Sequence, residues 1–154
     1  MDALTVGPDR PDSADVKALL TRHFDLMRAT SPAESCHVMQ PDALLDSGAV
    51  LLAARDGDRL LGVGALTGIG NGHGELKSMH TAAEARGRGV GRAVLNALID
   101  MARAQGLTRL SLETGSAPAF AAARALYAAH GFELCPPFGS YVQDPLSVFM
   151  SRLL

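Results

Sequence analysis

The sequence predicts a single α/β domain over residues 1–154, with an antiparallel strand meander first and a βαβαβ stretch second. Three observations carry this prediction. Two apolar runs, 49–55 and 59–66, flank Asp56-Gly57-Asp58, which reads as two strands around a hairpin turn. Apolar residues recur at helical spacing in two further segments, Val16-Leu19-Leu20-Phe24-Met27 and Val94-Leu95-Leu98-Ile99-Ala102. A chain of 154 residues, 47% hydrophobic and 19% charged, can bury one core without disulfides or metals.

The elements follow in order. Residues 4–6 read as a short edge strand that Pro8 breaks. A first helix covers 13–29, opened by Asp12 or Ser13 as cap and by Asp15 at the positive end of its dipole. Ser31-Pro32-Ala33-Glu34 reads as the start of a second, short helix ending near Pro41. After the hairpin, Gly68, Gly70, Gly72 and Gly74 read as a loop before a third meander strand, 75–81. Residues 84–91 are polar and glycine-rich, and the second apolar-faced helix follows, ended by Gly106. Residues 107–113 alternate as a strand, 120–130 form an alanine-rich helix ended by Gly131, and 132–134 and 148–153 are the last two strands.

Charge and composition exclude several functions. The 14 basic and 16 acidic residues leave a net charge of −2, which offers no general field for nucleic acid or an anionic membrane. No apolar run is long enough to span a bilayer, and the first residues lack a secretory pattern, so a cytoplasmic protein is expected. Cys36 and Cys135 stand in no metal or redox spacing and read as reduced thiols. His23, His37, His73, His80 and His130 form no metal spacing, so no metal site is expected. Twelve arginines against two lysines, with abundant alanine, fit a GC-rich bacterial genome.

The segment that carries chemistry is Arg86-Gly87-Arg88-Gly89-Val90-Gly91-Arg92, between a strand and the start of an amphipathic helix. A helix start presents unpaired N–H groups at the positive end of a dipole, and glycines let a phosphate approach the backbone. Three arginines add counter-charge, so the loop reads as a local diphosphate site. A P-loop is excluded because Gly-x-x-x-x-Gly-Lys-Ser/Thr is absent. A dinucleotide fingerprint is a rival, since Glu113 lies 22 residues beyond Gly91. It fits less well, because residues 82–86 separate the glycines from the strand and Val94 stands where its third glycine belongs. No Gly-x-Ser-x-Gly supports a hydrolase.

With a second motif, Leu126-Tyr127-Ala128-Ala129-His130-Gly131-Phe132, the chain resembles the GNAT family, the Gcn5-related N-acetyltransferases. The loop matches the family's Gln/Arg-x-x-Gly-x-Gly/Ala pattern in full, and the resemblance is strongest over 75–132. It implies a mixed, mostly antiparallel sheet of about seven strands with flanking helices and a splay between the fourth and fifth strands. The implied reaction moves an acetyl group from acetyl-CoA to a primary amine of a small molecule or peptide by direct attack in a ternary complex, with no metal. The alternatives are an acyl-CoA-binding regulator without turnover and an acetyltransferase of charged tRNA, which would want a basic face.

The resemblance also assigns residues. Backbone amides of Gly87, Arg88, Gly89, Val90, Gly91 and Arg92, opened by Arg86, hold the pyrophosphate. Met79, His80 and Thr81 line the pantetheine arm, and the Met79 amide receives the thioester carbonyl. Tyr127 is the general acid. Glu75, eleven residues before Arg86, is the candidate base, with Glu113 and a water chain as rivals. Alternation along the strand puts Glu75 on the same face as Met79 and His80 on the other. Glu113 can instead bind the substrate ammonium, and Glu34, His37 and Tyr141 fall in the regions that choose the substrate. The family's usual Asn is replaced by Phe120, which leaves that polar contact to Thr114 or Ser116. A homodimer is expected from apolar Phe149, Met150 and Leu153 on the final strand.

Overall fold

The computed structural model describes residues 4–30, 32 and 37–154. In chain order the elements are β1 (Leu4–Asp9), α1 (Ala14–Thr30), α2 (Pro41–Asp46), β2 (Val50–Asp56), β3 (Arg59–Gly70), β4 (His73–Thr81), α3 (Val90–Ala104), β5 (Arg109–Gly115), α4 (Ala121–Ala129), β6 (Glu133–Leu134) and β7 (Ser147–Leu153). The strands form a seven-stranded sheet in the order β1-β2-β3-β4-β5-β7-β6. Every neighbouring pair is antiparallel except β4 and β5. Only that pair needs a long crossover, and α3 supplies it. No helix is long and apolar enough to cross a membrane, among the described residues.

Three elements differ from expectation. β1 runs through Pro8, which pairs with Leu52; β1 is an edge strand, where a missing N–H breaks no ladder. The four-glycine stretch is a hairpin rather than a loop. β3 continues to Gly70, and Asn71 and Gly72, with φ of 57° and 74°, form a two-residue turn into β4. The second helix begins at Pro41, where it was expected to end, with Pro41 at its first turn. Residues 37–40 are not helical, and the expected start at Ser31, Ala33 and Glu34 lies outside the described residues.

The core forms where α3 lies on the sheet. Val90, Val94, Leu95, Leu98, Ile99 and Ala102 make its apolar stripe, all buried. The helix comes close because β3 offers glycines beneath it. A Cβ on Gly64 would stand 2.8 Å from both Leu98 Cδ1 and Val94 Cγ1, and 2.5 Å from Met79 Sδ. Gly64→Ala is therefore expected to overpack this layer and cost about 1–3 kcal/mol. Urea unfolding should show a lower midpoint at unchanged slope.

At the far edge, Arg55 ties β2 to the start of α1. Its guanidinium lies 2.8 Å from Asp9 Oδ2 and 2.7 Å from Asp15 Oδ2. Burial opposes ionisation of Asp9, but hydrogen bonds from Arg55, Arg10 and Ser13 outweigh it and hold the carboxyl below its ordinary range.

Candidate active site

The parallel pair β4–β5 is short. It runs from His73 opposite Arg109 to Leu76 opposite Leu112, and beyond that point the strands part. The cause lies in β4. Against β3, Lys77 opposes Ala65 and His80 opposes Val63, so Gly64 faces two residues, Ser78 and Met79. Ser78 has φ of 55°, the left-handed conformation of a bulge. The extra residue bends β4 away from β5 and opens a cleft beside Glu113, Thr114 and Gly115.

The bulge also reverses the side-chain alternation. Met79 points to the α3 layer, where its sulfur meets Leu98 and Val94 around Gly64. His80 points to the opposite layer, its ring centroid 4.5 Å from that of His23 on α1. The expectation that Glu75 shares a face with Met79 is thus corrected. Glu75 shares its face with Lys77 and His80, because one inserted residue shifts a period of two by one step.

The glycine loop stands where the α3 helix starts. Gly87 and Gly89 have φ of 78° and 77°, and Gly89 is the N-cap. The first helical bond runs from the Ala93 N–H to the Gly89 carbonyl at 3.1 Å, so the amides of Val90, Gly91 and Arg92 precede the ladder. Arg86, Arg88 and Arg92 are exposed around them. A Cβ on Gly91 would lie 3.2 Å from Leu126 Cδ2, so this first turn packs directly on α4. These features suit a diphosphate.

Across the cleft stand the ionisable groups. Glu75 is buried, and its Oε2 accepts the Tyr141 hydroxyl at 2.5 Å and lies 3.3 Å from Lys77 Nζ. Burial pushes the Glu113 carboxyl up to about 7; the Ser147 hydroxyl pulls it back, and the charge of Glu75 adds to the rise. Tyr127, only 6% exposed, packs edge-on against Phe132 with centroids 6.0 Å apart. Burial, and then the charge of Glu113, hold its phenol well above the ordinary value, so it stays protonated. His23 and His80 are both pushed down to about 4 by burial and are neutral near pH 7.

Tyr141 does more than stand in a variable loop. Its ring meets Phe138, Phe149 and His37 with centroid distances of 5.2, 5.5 and 5.0 Å. It thereby ties the β6–β7 loop and the segment before α2 to Glu75. Lys77 and Phe138 were not singled out in the sequence; only the alternation of β4 placed Lys77 near Glu75. Phe120 lies against Gly115, where a Cβ would collide with its ring, and it forms an apolar part of the cleft. Burial pushes the Cys135 thiol up, away from a reactive thiolate. Glu34 and Cys36 lie outside the described residues.

The sequence and fold have relatives. Residues 16–132 match the sequence profile of the Acetyltransferase (GNAT) family. The chain is 42% identical over 139 residues to the uncharacterized N-acetyltransferase YsnE of Bacillus subtilis, covering 90% of this chain and 92% of that one. It is 36% identical over 156 residues to the IAA acetyltransferase of Azospirillum brasilense, covering 100% of both. Its fold matches a GNAT family acetyltransferase of Elizabethkingia anophelis, solved with acetyl-CoA bound, at a TM-score of 0.74 with 18% identity and 100% of both chains covered.

Proposed function

Because this chain belongs to the GNAT acetyltransferase family, we propose that it moves the acetyl group of acetyl-CoA to a primary amine by direct attack in a ternary complex. The observation that carries this reading is the pairing, in one cleft, of a carboxyl with a pKa of about 7 and a phenol that stays protonated, Glu113 and Tyr127. Attack of an amine on a thioester is speeded by one group of each kind, a base for the ammonium and an acid for the leaving sulfur.

The amides at the Arg86–Arg92 loop receive the pyrophosphate. The part of β4 that β5 leaves unpaired, Met79 to Thr81, offers backbone groups to the pantetheine arm. The Met79 amide serves the thioester carbonyl as negative charge grows on its oxygen. An ammonium entering the cleft gives a proton to a carboxylate, and the free amine then attacks the carbonyl carbon. Collapse of the tetrahedral intermediate breaks the C–S bond; the Tyr127 hydroxyl protonates the leaving sulfur, and the second proton lost from the nitrogen restores the phenol as the amide forms.

The sequence favoured Glu75 as the base. In our reading Glu113 takes the proton, since Glu75 Oε2 is already engaged by Tyr141 and Lys77. Glu75 then fixes Tyr141 and shapes the cleft. Glu113 is a carboxylate only above its raised pKa, so activity should climb as pH rises through about 7. Thiol release from acetyl-CoA with a panel of amines, followed from pH 5 to 9, checks both points. Glu113→Gln should abolish that acidic limb of kcat/KM, and Glu75→Gln should keep it. An unchanged limb in Glu113→Gln would remove Glu113 from the role, and binding of acetyl-CoA with no thiol release to any amine would leave a binding protein.

We also propose the homodimer, on a narrower basis than the sequence offered. Phe149 and Met150 are buried within the protomer, which leaves Leu153 and, on β6, Leu134 exposed at the sheet's end.

A further inference from the structure

We infer that the acceptor this cleft takes is a net-cationic amine with an apolar body and no carboxylate of its own. This rests on the acetyl-transfer reading of the same cleft and deepens it to a substrate class. The first argument is charge. Among the described residues lining the cleft, the charged side chains are Glu75, Glu113 and Lys77. Lys77 lies 3.3 Å from Glu75, so its ammonium is matched by a carboxylate within the protein. Lys77 also acts on Glu113, but the charge of Glu75 outweighs it there, and Asp144 adds further negative charge. The remaining ionisable groups facing this space are His23, His37, Tyr127 and Tyr141, and burial keeps His23 neutral. An incoming ammonium therefore meets Glu113, whereas an incoming carboxylate meets no unmatched cation and desolvates against two acids.

The second argument is shape and polarity. Met27, Val38, Met39, Leu146 and the ring of Tyr141 give the cleft apolar walls, with the imidazoles of His23 and His37 among them. That ring is fixed by its hydrogen bond to Glu75 and by Phe138 and Phe149, so it presents a rigid apolar face beside the carboxylates. Such walls favour a hydrocarbon or aromatic body behind the amine over a small polar one.

The test uses acceptors that differ in one feature each. Phenethylamine, phenylalanine and ethanolamine, with IAA as the acceptor named for the Azospirillum relative, are compared by kcat/KM for thiol release. Phenethylamine should exceed phenylalanine and ethanolamine each by about 100-fold, the range that one missing or misplaced contact gives. Binding of phenethylamine to the protein loaded with CoA, followed by saturation-transfer NMR, should weaken in Glu113→Gln and persist in Lys77→Gln. Phenylalanine, ethanolamine or IAA turned over as well as phenethylamine would overturn the substrate class and leave acetyl transfer standing. Acetyl-CoA binding without turnover of any acceptor would overturn both.

Discussion

Tyr127→Phe is expected to lower kcat by about ten- to ten-thousand-fold, the range for lost proton transfer, while acetyl-CoA binds as before. The phenol is buried in the cleft and held protonated, so its hydroxyl is the atom available to a departing thiolate. Removing one oxygen leaves the ring in place against Phe132 and costs little packing. Steady-state kinetics with thiol detection, beside calorimetric titration with acetyl-CoA, separate the two effects. A variant with normal kcat would return Tyr127 to a packing role. Cys135→Ala, in contrast, should leave turnover within a few-fold, because burial keeps that thiol from becoming a nucleophile.

Gly89→Glu is expected to weaken acetyl-CoA binding by about 100-fold or more. The substitution sets a carboxylate at the start of α3, where like charge against a pyrophosphate costs about 4 kcal/mol at 4 Å in a surface environment. The protein itself has room for the side chain, since a Cβ there meets nothing within 4 Å. The positive φ still strains any residue but glycine, so Gly89→Ala measures the strain alone. Thermal shift with and without acetyl-CoA reads the difference. A glutamate variant stabilised by acetyl-CoA as strongly as the parent would move the pyrophosphate elsewhere.

Much of the scaffold was legible because local chemistry and tertiary need agree there. The expected hairpin forms at Asp56-Gly57-Asp58, and the apolar stripe of α3 is the one read from Val94 to Ala102. Glycines spaced by two were harder. Asn71-Gly72 is a hairpin signal, yet the surrounding Gly68, Gly70 and Gly74 suggest a loop, and only pairing with β4 decides. The bulge at Ser78 left no trace in the sequence, because serine is not a residue that announces a positive φ. For that reason Glu75 was expected on the face of Met79, whereas it shares its face with His80. The link from Tyr141 to Glu75 spans 66 positions, and no local pattern reports a contact that only the folded sheet creates.

The contact between Gly91 and Leu126 has a mechanical consequence. Leu126 precedes Tyr127 in the chain, so the turn proposed to grip the nucleotide end of the coenzyme and the helix that carries the proposed proton donor are bolted together. In that reading the ruler that sets the distance from diphosphate to reacting sulfur would be a single packed joint, not two independently placed parts. Variants that pry α4 from α3 should then lose grip and turnover in step, while changes on the far side of the sheet alter the choice of acceptor and leave that ruler untouched.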